Sequence, residues 1–288
     1  MATTVMVNEE ERTKIHASQF SLACGGLGLV FAGIGCFLSP GTPSGPGYLL
    51  GALGFMLIAV AIIAHVEHLS RRLGRPAVVF AIVSAVLLAV DNVPMALEPS
   101  RTADSGWIDY WNYVLAAAAL CAAASVALAA MRKEARLVAH LAQGNSGAYA
   151  AEDFHTTVHA SFFSLVTGAL GFLLMAIGSL ILIGGGGPAA RLGWILQTIS
   201  WVLIAVAIIA HLGHLSRSVG RLALVLAVIG LILNALATLP ACIDPSGAGP
   251  IGPEVQWIAW GIADILGGIS AALVAVSRRA QDAGRAVA

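Results

Sequence analysis

The chain has 288 residues, 58% of them hydrophobic and only 10% charged, with a mean hydropathy of +0.88. A water-soluble domain carries about a quarter charged residues to wet its surface, so a soluble globular fold is all but excluded. Lys plus Arg, 15, equals Asp plus Glu, 15; no basic run is long enough to track phosphates, so the expected partner is the lipid bilayer and not nucleic acid.

A bilayer core of about 30 Å needs roughly 20 mostly apolar helical residues per crossing. Eight such runs follow in chain order: Ser18 to Leu38, Tyr48 to Ser70, Pro76 to Pro94, Trp107 to Met131, Ala160 to Ile183, Leu192 to Ser216, Leu222 to Pro240 and Val255 to Ser277. Gly and Pro break them at Ser39 to Gly47, Gly184 to Pro188 and Asp244 to Pro250, where helices end. The runs do not alternate with period two, which argues against a closed β-barrel.

Positive charge sets the expected orientation. Arg12, Lys14, Arg71, Arg72, Arg75, Arg132, Lys133, Arg136, Arg217, Arg221, Arg278, Arg279 and Arg285 fall at one side of the spans, Arg101 and Arg191 at the other. Lys and Arg beside a span stay cytoplasmic, so both termini are expected there. The polar start of the chain lacks the pattern of a removable signal peptide; the Ala- and Gly-rich composition suits a bacterial cytoplasmic (inner) membrane. All six tryptophans fall in the outer half, and an interfacial aromatic belt accounts for most of them. The four cysteines form no C-x-x-C pair and are read as small core residues.

The two halves resemble each other. Leu57 to Arg71 and Leu203 to Arg217 agree at 13 of 15 positions with a shift of 146. The same shift pairs Pro94 with Pro240, Trp111 with Trp257, and Arg132-Lys133 with Arg278-Arg279. At a shift of 143, His16 to Leu22 matches His159 to Leu165 at six of seven. The third spans have drifted, agreeing at 6 of 19 positions. The expected fold is therefore all-α: eight transmembrane helices as two tandem four-helix bundles in a parallel internal repeat. The units are residues 1–133 and 159–288, joined by a cytoplasmic connector at 134–158 with Gly144 to Gly147 as its flexible point.

All eight histidines fall near the cytoplasmic face. Six form equivalent sets, His16, His65 and His68, then His159, His211 and His214. Positions three apart share a helix face, so each half can converge three imidazoles. Imidazole ligates Cu, Zn and Fe, and two per haem b serve as axial ligands. The leading expectation is a bound transition metal or haem, in a membrane subunit of a redox complex with other membrane or redox subunits as partners. The bland alternative is that the histidines end spans at the headgroups. His155 and His140 are weaker candidates, and Glu67, a neighbour able to orient a ligand, is replaced by Gly213 in the repeat.

Two acids carry an alternative. Asp264 lies in the eighth span with no Lys or Arg at its depth, and Asp91 lies near the outer end of the third, where it can reach water. An intramembrane carboxylate is costly and signals function by default, which points to a transporter of protons, small cations or metal ions with Asp264 on its path. A hydrogen bond to Asn234 on a neighbouring helix is the structural alternative. The equivalent positions hold Ala118 and Ala237, so neither acid belongs to the shared unit. A structural subunit without chemistry of its own is the third class. Nucleotide, protease and hydrolase signatures are absent.

Overall fold

The computed structural model describes residues 17–39, 45–99, 105–142, 160–210, 219–245 and 253–287. Within them lie nine α-helices and no strand: α1 (Gln19–Leu38), α2 (Gly45–Ile63), α3 (Val66–Leu73), α4 (Arg75–Leu97), α5 (Ser105–Ala142), α6 (Phe162–Leu182), α7 (Pro188–Ile209), α8 (Arg221–Ile243) and α9 (Pro253–Val287). All but α3 are long and apolar enough to cross a bilayer. The chain is an all-helical, polytopic membrane protein.

Helix ends follow local chemistry. Ser18 accepts from the Ser21 amide at 3.0 Å to cap α1, and Ser161 does the same for α6 from Ser164 at 3.0 Å, satisfying donors that a first turn leaves open. Gly74 and Gly220, at φ +95° and +90°, turn the chain into α4 and α8, in a region that glycine enters without strain.

The second span is shorter than its apolar run. After Ile63 the chain leaves helical geometry at His65, φ −117° and ψ 12°, and Val66–Leu73 starts afresh as α3. Its sequence, VEHLSRRL, is amphipathic, and such a segment is more stable lying along an interface than continuing through hydrocarbon. The expected connector also changes: α5 runs on as helix to Ala142, about two turns beyond residue 134. The proposed flexible point at Gly144 to Gly147 lies outside the described residues.

Each span packs on its chain neighbours and α9 packs on α1, so the helices close into a ring in the order α1, α2, α4, α5, α6, α7, α8, α9. The ring closes at the seam of α9 on α1, and the seam of α5 on α6 lies across from it. Close approach holds neighbouring spans together. A Cβ on Gly28 would stand 2.5 Å from the Gly54 carbonyl, and one on Gly35 would stand 2.5 Å from that of Gly47. Between α1 and α9 the pair is Gly33 and Gly261, at 2.7 and 2.9 Å from one another's carbonyls. Lipid is as apolar as any side chain, so dispersion gained at such distances replaces the hydrophobic drive. Serines reinforce it: Ser21 donates to the Ala61 carbonyl at 2.7 Å, Ser164 to that of Ala207 at 2.6 Å, and Ser270 to that of Ala223 at 2.7 Å. At the arginine-rich end, Lys133 donates to the Ala160 carbonyl and ties α5 to the start of the second half.

Candidate functional site

Exposed apolar side chains mark the lipid face of each helix, and the opposite face looks into the ring. On α9, Val255, Ile258, Ile262, Ile269 and Val276 are exposed. Asp264 stands two residues from Ile262, roughly 200° around the helix, and so faces inward. Trp111 has the same relation to exposed Tyr113 on α5.

Inside the ring, at the end away from the arginines, four aromatic rings meet. Trp111 stacks on Trp257 with centroids 6.0 Å apart and planes at 12°. Trp260 meets both edge-on, at 6.4 and 5.4 Å, and Tyr48 meets Trp257 edge-on at 6.1 Å. Because α5 and α9 stand across the ring from one another, the Trp111–Trp257 stack bridges the interior. These two residues are equivalents under the 146-residue shift. The belt expectation is therefore corrected for Trp111, Trp257 and Trp260, and also for Trp201, which packs on the buried cluster of Ala119, Met175, Ala176 and Ile204. Hydropathy places an aromatic residue at a depth; only the neighbouring helices decide whether it faces lipid or protein.

Asp91 joins this cluster. It is 3% exposed, it accepts a hydrogen bond from the Trp111 indole, and its Oδ1 is buried with no hydrogen-bond partner among the described residues. The expectation that it reaches water is overturned, because α4 continues past Pro94 to Leu97 and carries Asp91 well inside the span.

Asp264 is only half-buried. Trp260 lies one turn from it toward the aromatic cluster. On the other side is Gly267, where a Cβ would stand 3.1 Å from Leu29 Cδ1 of α1, so Leu29 packs against α9 at that level. Cys36 of α1 lies within its electrostatic reach, and Tyr48 lies within that of Cys36. Among the described residues no side chain hydrogen-bonds Asp264, so Asn234 is not its partner.

Of the six candidate metal ligands, the described residues include His65 and His68. Their ring centroids are 4.7 Å apart and their planes tilt by 35°, although the helix breaks at His65. His16, His159, His211 and His214 lie outside the described residues, as does His155. Among the described residues no group of three His, Cys, Asp or Glu could hold a metal ion. Partial burial, then the charges of Arg72 and Arg278, push the His65 imidazole below its ordinary pKa. Arg72 is buried, and Arg278 falls fourteen residues after Asp264, on the same inner face of α9. Arg72 and Arg278 therefore lie within electrostatic reach of His65, at the end of the spans away from the aromatic cluster.

Comparison with protein-family models, with curated proteins and with solved structures gives no match for this chain. The chemistry is read from the arrangement alone: a half-buried carboxyl on the inner face of a span can take up and release a proton or balance a small cation. Sequence reasoning found both acids but missed the aromatic closure. One signal for the closure was present, since in a twofold arrangement equivalent residues that touch must lie on the axis, and Trp111 and Trp257 are such a pair.

Proposed function

We propose that this protein carries protons, or a small cation, across a bilayer through the interior of its eight-helix ring, with Asp264 as the group that binds and releases the charge. The observation that carries this reading is Asp264, a half-buried carboxyl on the inner face of α9 with no hydrogen-bond partner among the described residues, one helical turn from Trp260 of the aromatic cluster. Asp91 and the tryptophan cluster form the barrier at one end. The charges of Arg72 and Arg278 near the other end disfavour a free metal ion, while His65, kept neutral by burial and those charges, can still accept and pass on a proton, which favours the proton. By the positive-inside rule the arginine-rich end and both termini face the cytoplasm, and the two halves are related by a twofold axis along the ring.

The test is flux into vesicles containing purified protein and a pH-sensitive dye, driven by a potassium diffusion potential. Asp264→Asn should reduce the rate to that of protein-free vesicles, while Glu254→Gln, at an exposed position, should not. Unchanged flux in Asp264→Asn removes the reading.

The second reading is a transition metal (Cu, Zn or Fe) or haem b bound by the histidine sets, in a redox subunit. The 4.7 Å approach of His65 and His68 favours it, because two imidazoles that close can share an ion. Metal analysis and an absorption spectrum of the purified protein test it; no bound metal and no Soret band would end it.

A further inference from the structure

On the outer flank of the arginine-rich end, α3, the start of α4 and the end of α5 enclose an open cavity of about 600 Å³ lined by Val66, Glu67, Ser70, Arg71, Arg75 and Arg132. Three guanidinium groups face one carboxylate there. The cavity is built around Gly74: Arg132 crosses it so closely that a Cβ at 74 would stand 3.0 Å from Nη1, and Arg132 Nη2 donates to the Arg71 carbonyl at 3.1 Å. Arg71 and Arg75, both exposed, line the same space as Arg132. We infer that this cavity binds the phosphate of an anionic glycerophospholipid.

Three observations carry the assignment. Guanidinium presents paired N–H donors that match phosphate oxygens, and Ser70 adds a hydroxyl donor, so the lining fits a phosphate anion. Toward the middle of the span the flank becomes apolar: Val79 and Phe80 of α4 and Met131 of α5 are all exposed. Arg75 and Val79 stand one turn apart on one helix face, so a headgroup held by the arginines has its acyl chain laid against that surface. Basic pockets between spans at a membrane boundary hold lipid headgroups by this combination. Glu67 suits a headgroup whose hydroxyl or ammonium can donate to it. Finally, Ser70, Arg71, Arg75 and Arg132 recur as Ser216, Arg217, Arg221 and Arg278, whereas Glu67 becomes Gly213. The cationic set was kept in both halves while the span that follows it drifted.

Native mass spectrometry of the purified full chain, titrated with phosphatidylglycerol or phosphatidylcholine, tests the assignment. Wild type should retain phosphatidylglycerol saturably and in preference to phosphatidylcholine. The double variant Arg71→Gln/Arg75→Gln should retain one lipid fewer at the same concentration, its affinity falling about fivefold per arginine. Arg75→Gln alone, which removes no hydrogen bond to the backbone, keeps the test valid should the double variant misfold. Arg279→Gln, an exposed arginine at the same end, should leave retention unchanged; an equal loss there would reduce the effect to diffuse surface charge and overturn the proposal. Equal retention of both lipids would overturn it too. Inorganic phosphate is the third arm: competition by low-millimolar phosphate with no lipid retained would assign the cavity to a soluble phosphate compound instead of a lipid.

Discussion

The ring predicts a graded response along one helix. Alanine substitution at Gly25, Gly26 and Gly33 of α1 adds the same methyl group to the same span, at three distances from its neighbours. At Gly25 the nearest atom to the new Cβ is Ala61 Cβ at 3.7 Å, an ordinary contact. At Gly26 the Gly268 carbonyl and Ala271 Cβ both stand at 3.3 Å, tight but yielding. At Gly33 the Gly261 carbonyl is at 2.7 Å and Ile265 Cγ1 at 2.9 Å, so α1 and α9 must part. Removing a glycine from a helix interior stabilises by about 1 kcal/mol, and overpacking costs about 1–3 kcal/mol. Gly25→Ala should therefore stabilise by up to about 1 kcal/mol, Gly26→Ala should be near neutral, and Gly33→Ala should destabilise by up to about 2 kcal/mol. Unfolding in mixed micelles, followed by circular dichroism against denaturing detergent, gives the three differences. Gly33→Ala should also change proton flux, since Ile265 adjoins Asp264 in sequence and the parted seam is one wall of its chamber. If Gly25→Ala is the most damaging of the three, the α1–α9 seam is wrong and the ring is not closed there.

The buried acid gives a second prediction. Asp91→Ala strands the Trp111 indole N–H and should cost about 1–3 kcal/mol, whereas Asp91→Asn keeps an acceptor and should cost less; equal melting temperatures for the two variants would show that Trp111 does not depend on residue 91. His65 should titrate below the ordinary histidine value of 6.5, as a proton-nitrogen correlation spectrum of selectively labelled protein would show. Because the folded form then binds that proton less readily than the unfolded chain, its contribution to stability is present above 6.5 and is lost as pH falls through the lower folded-state value. Arg72→Gln removes one of the two charges that lower it and should move the titration upward; a downward movement would contradict the assigned cause.

Much of the fold was legible because a bilayer imposes one strong constraint, length of apolar helix, and α1, α4, α6 and α8 begin and end within a few residues of their hydropathy runs. The exceptions are where composition and periodicity disagree. Val66 to Ser70 prolongs the second apolar run, but it opens the amphipathic segment VEHLSRRL, which the structure turns aside as α3. The candidate site was legible only as a list of unusual residues. Asp264 and Asp91 stand out at their depths, yet the sealing of Asp91 depends on Trp111, whose inward aim is fixed by its stack on Trp257, far away in the chain. The histidine pair at 65 and 68 followed from spacing alone, even though a helix break intervenes, because both residues lie within one turn of it.

The closed order of helices bears on descent. Since α9 meets α1 where α5 meets α6, a chain of only four spans could complete the same circle by joining a second copy of itself. Such a homodimer would be obliged to place any ionisable group twice, face to face across its axis. Fusing the copies lifts that obligation. A single chain with Asp264 and Asp91 where the repeat has Ala118 and Ala237 is free to make one side of its interior acidic and the other inert.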